Sequence, residues 1–83
     1  MNKLFVANLS WSVTEADLQG VFSEVGIVSH VQIILDRETQ KSRGFGFVEM
    51  STPEEAKLAI EKLNGYELGG RRLAVQEAKP KTF

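Results

Sequence analysis

Cysteine is absent from the 83 residues. No disulfide can staple the chain, and no thiolate can hold a metal or attack a substrate. A single histidine cannot supply the spaced His/Asp/Glu set that a metal centre needs. No apolar run approaches the roughly 20 residues that span a bilayer. Met1-Asn2-Lys3-Leu4 opens no apolar signal segment, so export is not expected and a cytoplasmic location is. Low-complexity tracts, internal repeats and linkers are missing as well. A basic excess is also lacking: 10 Lys and Arg stand against 11 Asp and Glu, for a net charge of −1. Taken as a sum, this counts mildly against a polyanionic partner.

What is present is enough for one small domain. Hydrophobic residues make up 42% and charged residues 25%, ordinary values for a globular chain. The charge is unevenly spread. Two helical segments, identified below, hold Glu15, Asp17, Glu24, Glu54, Glu55 and Glu61 against Lys57 and Lys62. The remainder is mildly basic, so a local phosphate-binding surface stays possible at this net charge.

The elements alternate. Lys3 to Asn8 reads as a strand. Thr14 is a good N-cap, with Asp17 placed to complete a capping box. Leu18, Val21, Phe22 and Val25 then recur at helical spacing, and Gly26 reads as the stop. Val28 to Leu35 is rich in β-branched residues and forms the second strand. A polar loop, Asp36 to Ser42, leads to a third strand at Arg43 to Met50. Thr52 as N-cap, Pro53 at the first helical position and Glu55 closing a box start a second helix. Its apolar face is Ala56, Ala59, Ile60 and Leu63, and Asn64-Gly65 ends it. Gly69-Gly70 makes a turn before a last strand at Arg72 to Glu77. This order predicts an α+β, ferredoxin-like βαββαβ sandwich: a four-stranded antiparallel sheet with both helices on one face. The domain is expected to span residues 1–79, with 80–83 as a flexible tail.

Alternation along the strands sorts side chains onto two faces. Leu4, Val6, Val31, Ile33, Val48, Met50, Leu73 and Val75 supply the aliphatic face beneath the helices. Phe5, Phe45 and Phe47 fall on the uncovered face. A contiguous apolar patch in solvent usually marks a binding surface, and flat rings on a flat sheet suit unpaired bases. The competing reading makes the three rings core residues, sealed by the tail, by another register or by a second copy. Gly44 and Gly46 are expected to let the helices pack closely under the third strand. Trp11, in the loop after the first strand, is expected to pack that loop against the domain edge, with a stacking role as the lesser alternative.

The same residues carry a family resemblance. Arg43-Gly44-Phe45-Gly46-Phe47-Val48-Glu49-Met50 resembles the longer signature of the RNA recognition motif, K/R-G-F/Y-G/A-F-V-x-F/Y. It departs only at Met50, where an aromatic is usual. Leu4-Phe5-Val6-Ala7-Asn8-Leu9 resembles the family's shorter signature. The chain resembles small stand-alone bacterial or organellar members, with a fragment of a longer protein as the alternative. The resemblance implies that Phe5 and Phe45 stack on successive bases, that Phe47 contacts sugars between them, and that Arg43 pairs with phosphate. It also implies that the last strand and the residues after it read base edges, here Gln76, Ala78 and Lys79. Gln32 and His30 alternate onto the same open face and are further candidates. Arg37, Lys41, Arg71 and Lys81 read as solvated loop charges, with steering of the phosphate backbone by some of them as the alternative.

The expected partner is single-stranded RNA, bound by a monomer with no cofactor, metal or membrane. Two alternatives stay open: single-stranded DNA on the same rings, and a protein-interaction module using the acidic helical face. An enzyme is not expected. Gly44-Phe45-Gly46 lies inside a strand, whereas a phosphate cradle needs a glycine-rich turn from strand into helix.

Overall fold

A computed structural model describes residues 2–39 and 42–78, with the backbone alone for Ser42 and Arg43. Eight elements follow in order: β1 (Lys3–Ala7), α1 (Glu15–Ser23), β2 (Val28–Leu35), β3 (Ser42–Met50), α2 (Pro53–Leu63), β4 (Glu67–Leu68), β5 (Arg71–Arg72) and β6 (Ala74–Glu77). The main sheet has the order β2-β3-β1-β6, antiparallel throughout, and the ferredoxin-like architecture is as the sequence predicts.

The core lies between the sheet and the two helices. Leu4, Val6, Ile33, Val48, Met50, Leu73 and Val75 are buried, and Val31 packs partly buried against them. Leu18 and Phe22 of α1 and Ala56, Ala59 and Leu63 of α2 close over this face. Met50 is fully buried, so its departure from the family signature is a matter of packing under the helices.

α1 begins as the sequence predicts. Thr14 accepts from the Asp17 amide at 3.1 Å, and Asp17 accepts from the Thr14 amide at 3.0 Å. Its end differs: the helix stops at Ser23, with Glu24 as the cap. Gly26 is therefore no helix terminator. A Cβ there would lie 2.7 Å from the Glu55 side chain, so the missing side chain makes room for that carboxylate. Glu55 in turn does not chiefly close a capping box. Thr52 accepts from the Glu55 amide at 3.1 Å, but the Glu55 carboxylate accepts from the Ser51 hydroxyl and from the Ile27 amide at 3.1 Å. These donors, Ser51 first and Ile27 second, hold its carboxyl below the usual value of 4.5. Residue Glu55 thus ties α2 to the chain entering β2.

The glycines of β3 also act differently from the expectation. A Cβ on Gly46 would meet the Gln32 carbonyl oxygen at 2.4 Å. The close approach is to the backbone of the neighbouring strand, not to a helix. It coincides with an irregular register between Ile33 and Leu35, as glycine in a strand often signals. Gly44 adopts φ +87, a left-handed conformation that favours glycine, and its carbonyl accepts from the Leu9 amide at 2.9 Å.

The last strand is shorter than the sequence suggests. Gly69 and Gly70 have φ of 65 and 85, the paired positive values of a two-residue hairpin turn. The turn folds β4 back on β5 as a separate ribbon, pairing Glu67 with Arg72 and Leu68 with Arg71. Leu73 then exchanges hydrogen bonds with its surroundings: its amide donates to Tyr66 and its carbonyl accepts from Gly65. The main sheet is rejoined only at Ala74. A period-two pattern cannot separate these two pieces, because both are extended.

Candidate nucleic-acid interface

The pairing register builds the open face directly. Phe5 of β1 lies opposite Phe47 of β3 on one side and Gln76 of β6 on the other. Gln32 of β2 lies opposite Phe47. One row therefore crosses the sheet as Gln32, Phe47, Phe5, Gln76, with a carboxamide at each end of two rings. A second row holds Phe45, Ala7 and Ala74, and a third holds His30, Glu49 and Lys3.

The three rings form one patch. Phe5 stands 5.7 Å from Phe45 and 5.6 Å from Phe47, centroid to centroid, with interplanar angles of 50° and 49°. These are favourable tilted aromatic contacts. All three rings are half-buried, held by each other and by the sheet, with no helix over them. Among the described residues, then, nothing seals the rings into a core, and the reading that buries them beneath the helical layer is ruled out.

His30, Gln32 and Gln76 are exposed on this face, and Ala78 is half-buried. Ala78 stays attached to the sheet edge: its amide donates to the Lys3 carbonyl at 2.9 Å. Of Arg43 only the backbone is described, and Lys79 lies outside the described residues, as do Lys41 and Lys81. Arg71 is more than a solvated charge. Its Nη2 donates to Asn8 Oδ1 at 2.9 Å, while Asn8 Nδ2 donates to the Arg72 carbonyl at 2.7 Å. Asn8 has φ 60, a conformation asparagine tolerates better than most residues. It turns the chain out of β1 and clamps the β4–β5 ribbon beside the sheet.

Trp11 does not pack the loop against the domain edge. It is 78% exposed.

Lys3 is a residue that sequence reasoning passed over. Its Nζ lies 4.9 Å from the Phe47 centroid, within cation–π range, and sets a positive charge over the ring patch. Alternation alone could have found it, since Lys3 shares a face with Phe5. Glu49 sits in the same row as Lys3 and His30, and its backbone carbonyl accepts from the Ser29 hydroxyl at 3.0 Å. Among the described residues, no group of three or more His, Asp or Glu gathers as a metal site would require. No helix there is long and apolar enough to cross a membrane.

The family model of the RNA recognition motif matches residues 4–74, a span that contains all three rings. The chain belongs to the RNA recognition motif family. It is 52% identical over 79 residues to the chloroplastic 28 kDa ribonucleoprotein of Spinacia oleracea, covering 95% of this chain but 34% of that protein. The motif thus spans about a third of that relative. It is 53% identical over 78 residues to a protein of the cyanobacterium Synechocystis sp., provisionally named RNA-binding protein RbpA, covering 94% of this chain and 77% of the other. Among solved structures, the Sxl-lethal protein in complex with RNA superposes with a TM-score of 0.91 at 30% identity, over 99% of this chain and 50% of that one.

Proposed function

We propose that this domain binds single-stranded RNA on the open face of its sheet, as a binding module and not an enzyme. Bases stack on Phe5 and Phe45, while Phe47 packs against the sugars between them. Arg43 and Lys3 meet phosphates. Gln32, His30, Gln76, Ala78 and Lys79 contact base edges at either side of the ring patch. The binding unit is residues 1–79, and 80–83 is its tail.

The observation that carries this reading is the contiguous patch of three rings on a sheet face that no helix covers. Each base stacked on such a ring is worth about 1–3 kcal/mol. Unpaired bases offer free faces, whereas duplex bases are already stacked, so the patch favours single strands. The ribonucleoprotein relative and the RNA-bound structural neighbour support RNA as the polymer.

The test is the double variant Phe45→Ala with Phe47→Ala, read by circular dichroism and by fluorescence anisotropy of a labelled single-stranded RNA pool. The fold is expected to survive and binding to fall below detection. Unfolding, or binding at the original affinity, contradicts the proposal. A DNA pool of the same length separates recognition of the 2′-hydroxyl from stacking alone.

A further inference from the structure

The strand that carries Gln32 is gripped from the helical layer. β2 lies at an edge of the main sheet, with β3 on one side only. Its register with β3 shifts between Val28 and His30 and again between Ile33 and Leu35. Regular pairing is thus confined to the short run around Gln32. On the open side, the Ile33 amide donates to the Glu15 carboxylate at 3.0 Å. Glu15 is the first residue of α1, a helix whose start is fixed by the Thr14–Asp17 capping box. Beside this bond a cleft of about 420 Å³, lined by Ala16, Gln19, Ser29 and Val31, opens between α1 and β2. Packed side chains therefore do not hold the strand edge there, and the bond does.

The bond acts on one peptide plane. The Ile33 N–H and the Gln32 C=O belong to the same planar unit. A Cβ on Gly46 would collide with that carbonyl oxygen. β3 thus approaches the plane closely from one side, while Glu15 holds it from the other. The tilt of the plane sets the direction in which the Gln32 side chain leaves the backbone. Gln32 lies opposite Phe47, at one end of the row of two rings. A carboxamide both donates and accepts hydrogen bonds, so its aim decides which base atoms it reaches.

We infer that Glu15 is a positioning residue for RNA binding: through the Gln32–Ile33 peptide plane it aims the Gln32 carboxamide at the base beside Phe47. Glu15 itself touches no nucleotide. The inference rests on the sheet-face reading above, in which Gln32 contacts a base edge. The opposite edge supplies a matched control, because Asn64 Oδ1 accepts from the Val75 amide of β6 at 3.1 Å.

The experiment measures the affinity of the full chain and its variants for a short fluorescein-labelled random-sequence RNA pool by anisotropy, with circular dichroism to confirm the fold. Two substitutions separate reach from charge. Glu15→Asp keeps the negative charge at the helix start but shortens the side chain by a methylene, and it is expected to weaken binding about threefold, a fraction of one hydrogen bond. Glu15→Gln removes the charge but keeps the length and an acceptor oxygen, and it is expected to bind like the parent. Gln32→Ala is expected to weaken binding about fivefold. With Gln32→Ala already in place, Glu15→Asp is expected to cost nothing further, as two residues acting through one contact require. Asn64→Ala is expected to change affinity by the same factor with or without Gln32. A Glu15→Asp variant that is neutral, or that loses the same factor once Gln32 is gone, overturns the positioning role. So does a Glu15→Gln variant that binds differently from the parent. A neutral Gln32→Ala overturns the inference while sparing stacking on the rings. A parent chain that does not bind the pool overturns the sheet-face reading itself.

Discussion

The two faces of the sheet hold the same side chain in opposite circumstances. Phe22 is fully buried beneath the sheet, between it and the helical layer. Phe5, Phe45 and Phe47 stand half-buried on the other face, Phe5 in contact with both of the others, and no described helix lies above them. The phenyl group is identical; what differs is whether it lies between the sheet and the helices or on the face that no described helix covers. One face uses its apolar surface to hold the fold together, and the other keeps its apolar surface available. A close network of rings lowers the cost of that availability, because each ring is partly covered by its neighbours.

The sharpest way to break this comparison is to remove rings on each side of the sheet in turn. Phe22→Ala is expected to destabilise the domain by about 3–5 kcal/mol, the usual cost of emptying an aromatic site in a core. Chemical denaturation measures it, and a loss below 1 kcal/mol would place Phe22 in the wrong layer. Removing Phe45 and Phe47 together is expected to leave the denaturation midpoint much less altered while abolishing RNA binding. A smaller effect sharpens what lies within the sheet. Gly46→Ala forces a methyl group against the Gln32 carbonyl, and the strand pair must part to accept it. A loss of about 1–3 kcal/mol is expected, with weaker RNA binding because Gln32 and Phe47 share a row. An alanine variant as stable as the parent would mean that β2 yields freely there.

The smallest expected effect concerns the helical layer alone. Glu55 has its carboxyl lowered by the Ser51 hydroxyl and the Ile27 amide. Folding therefore favours its ionised form. The resulting stabilisation is present above the unfolded value near 4.5 and is lost as pH falls through the lower folded value. Glu55→Gln is expected to flatten that part of the acid limb in denaturation curves between pH 5 and pH 3. An unchanged slope would mean that other carboxyls set it.

Much of the fold was legible because each signal was local and redundant. Thr14 with Asp17, and Thr52 with Pro53, mark helix starts by chemistry that needs no knowledge of the rest of the chain. The ring patch was legible because alternation in β1 and β3 is unbroken through the paired residues Lys3–Ala7 and Phe45–Glu49. What the sequence hid was decided by distant neighbours. Gly26 looks like a helix stop, but its role depends on Glu55, far along the chain. Gly46 looks like a concession to helices, but its constraint is the carbonyl of Gln32. Trp11 looks like loop packing, and only the three-dimensional course of Ser10, Val13 and Gly69 reveals that the ring is turned outward. Asn8 is a signature residue whose function as a clamp on Arg71 and Arg72 depends on a hairpin more than sixty positions later.

Ring-proton chemical shifts, followed as a single-stranded RNA pool is added, test the central claim most directly. The resonances of Phe5, Phe45 and Phe47 are expected to move together under the ring currents of stacked bases, while those of Phe22 stay in place. Shifts confined to the outer surfaces of α1 and α2, with the three sheet rings unmoved, would contradict the claim.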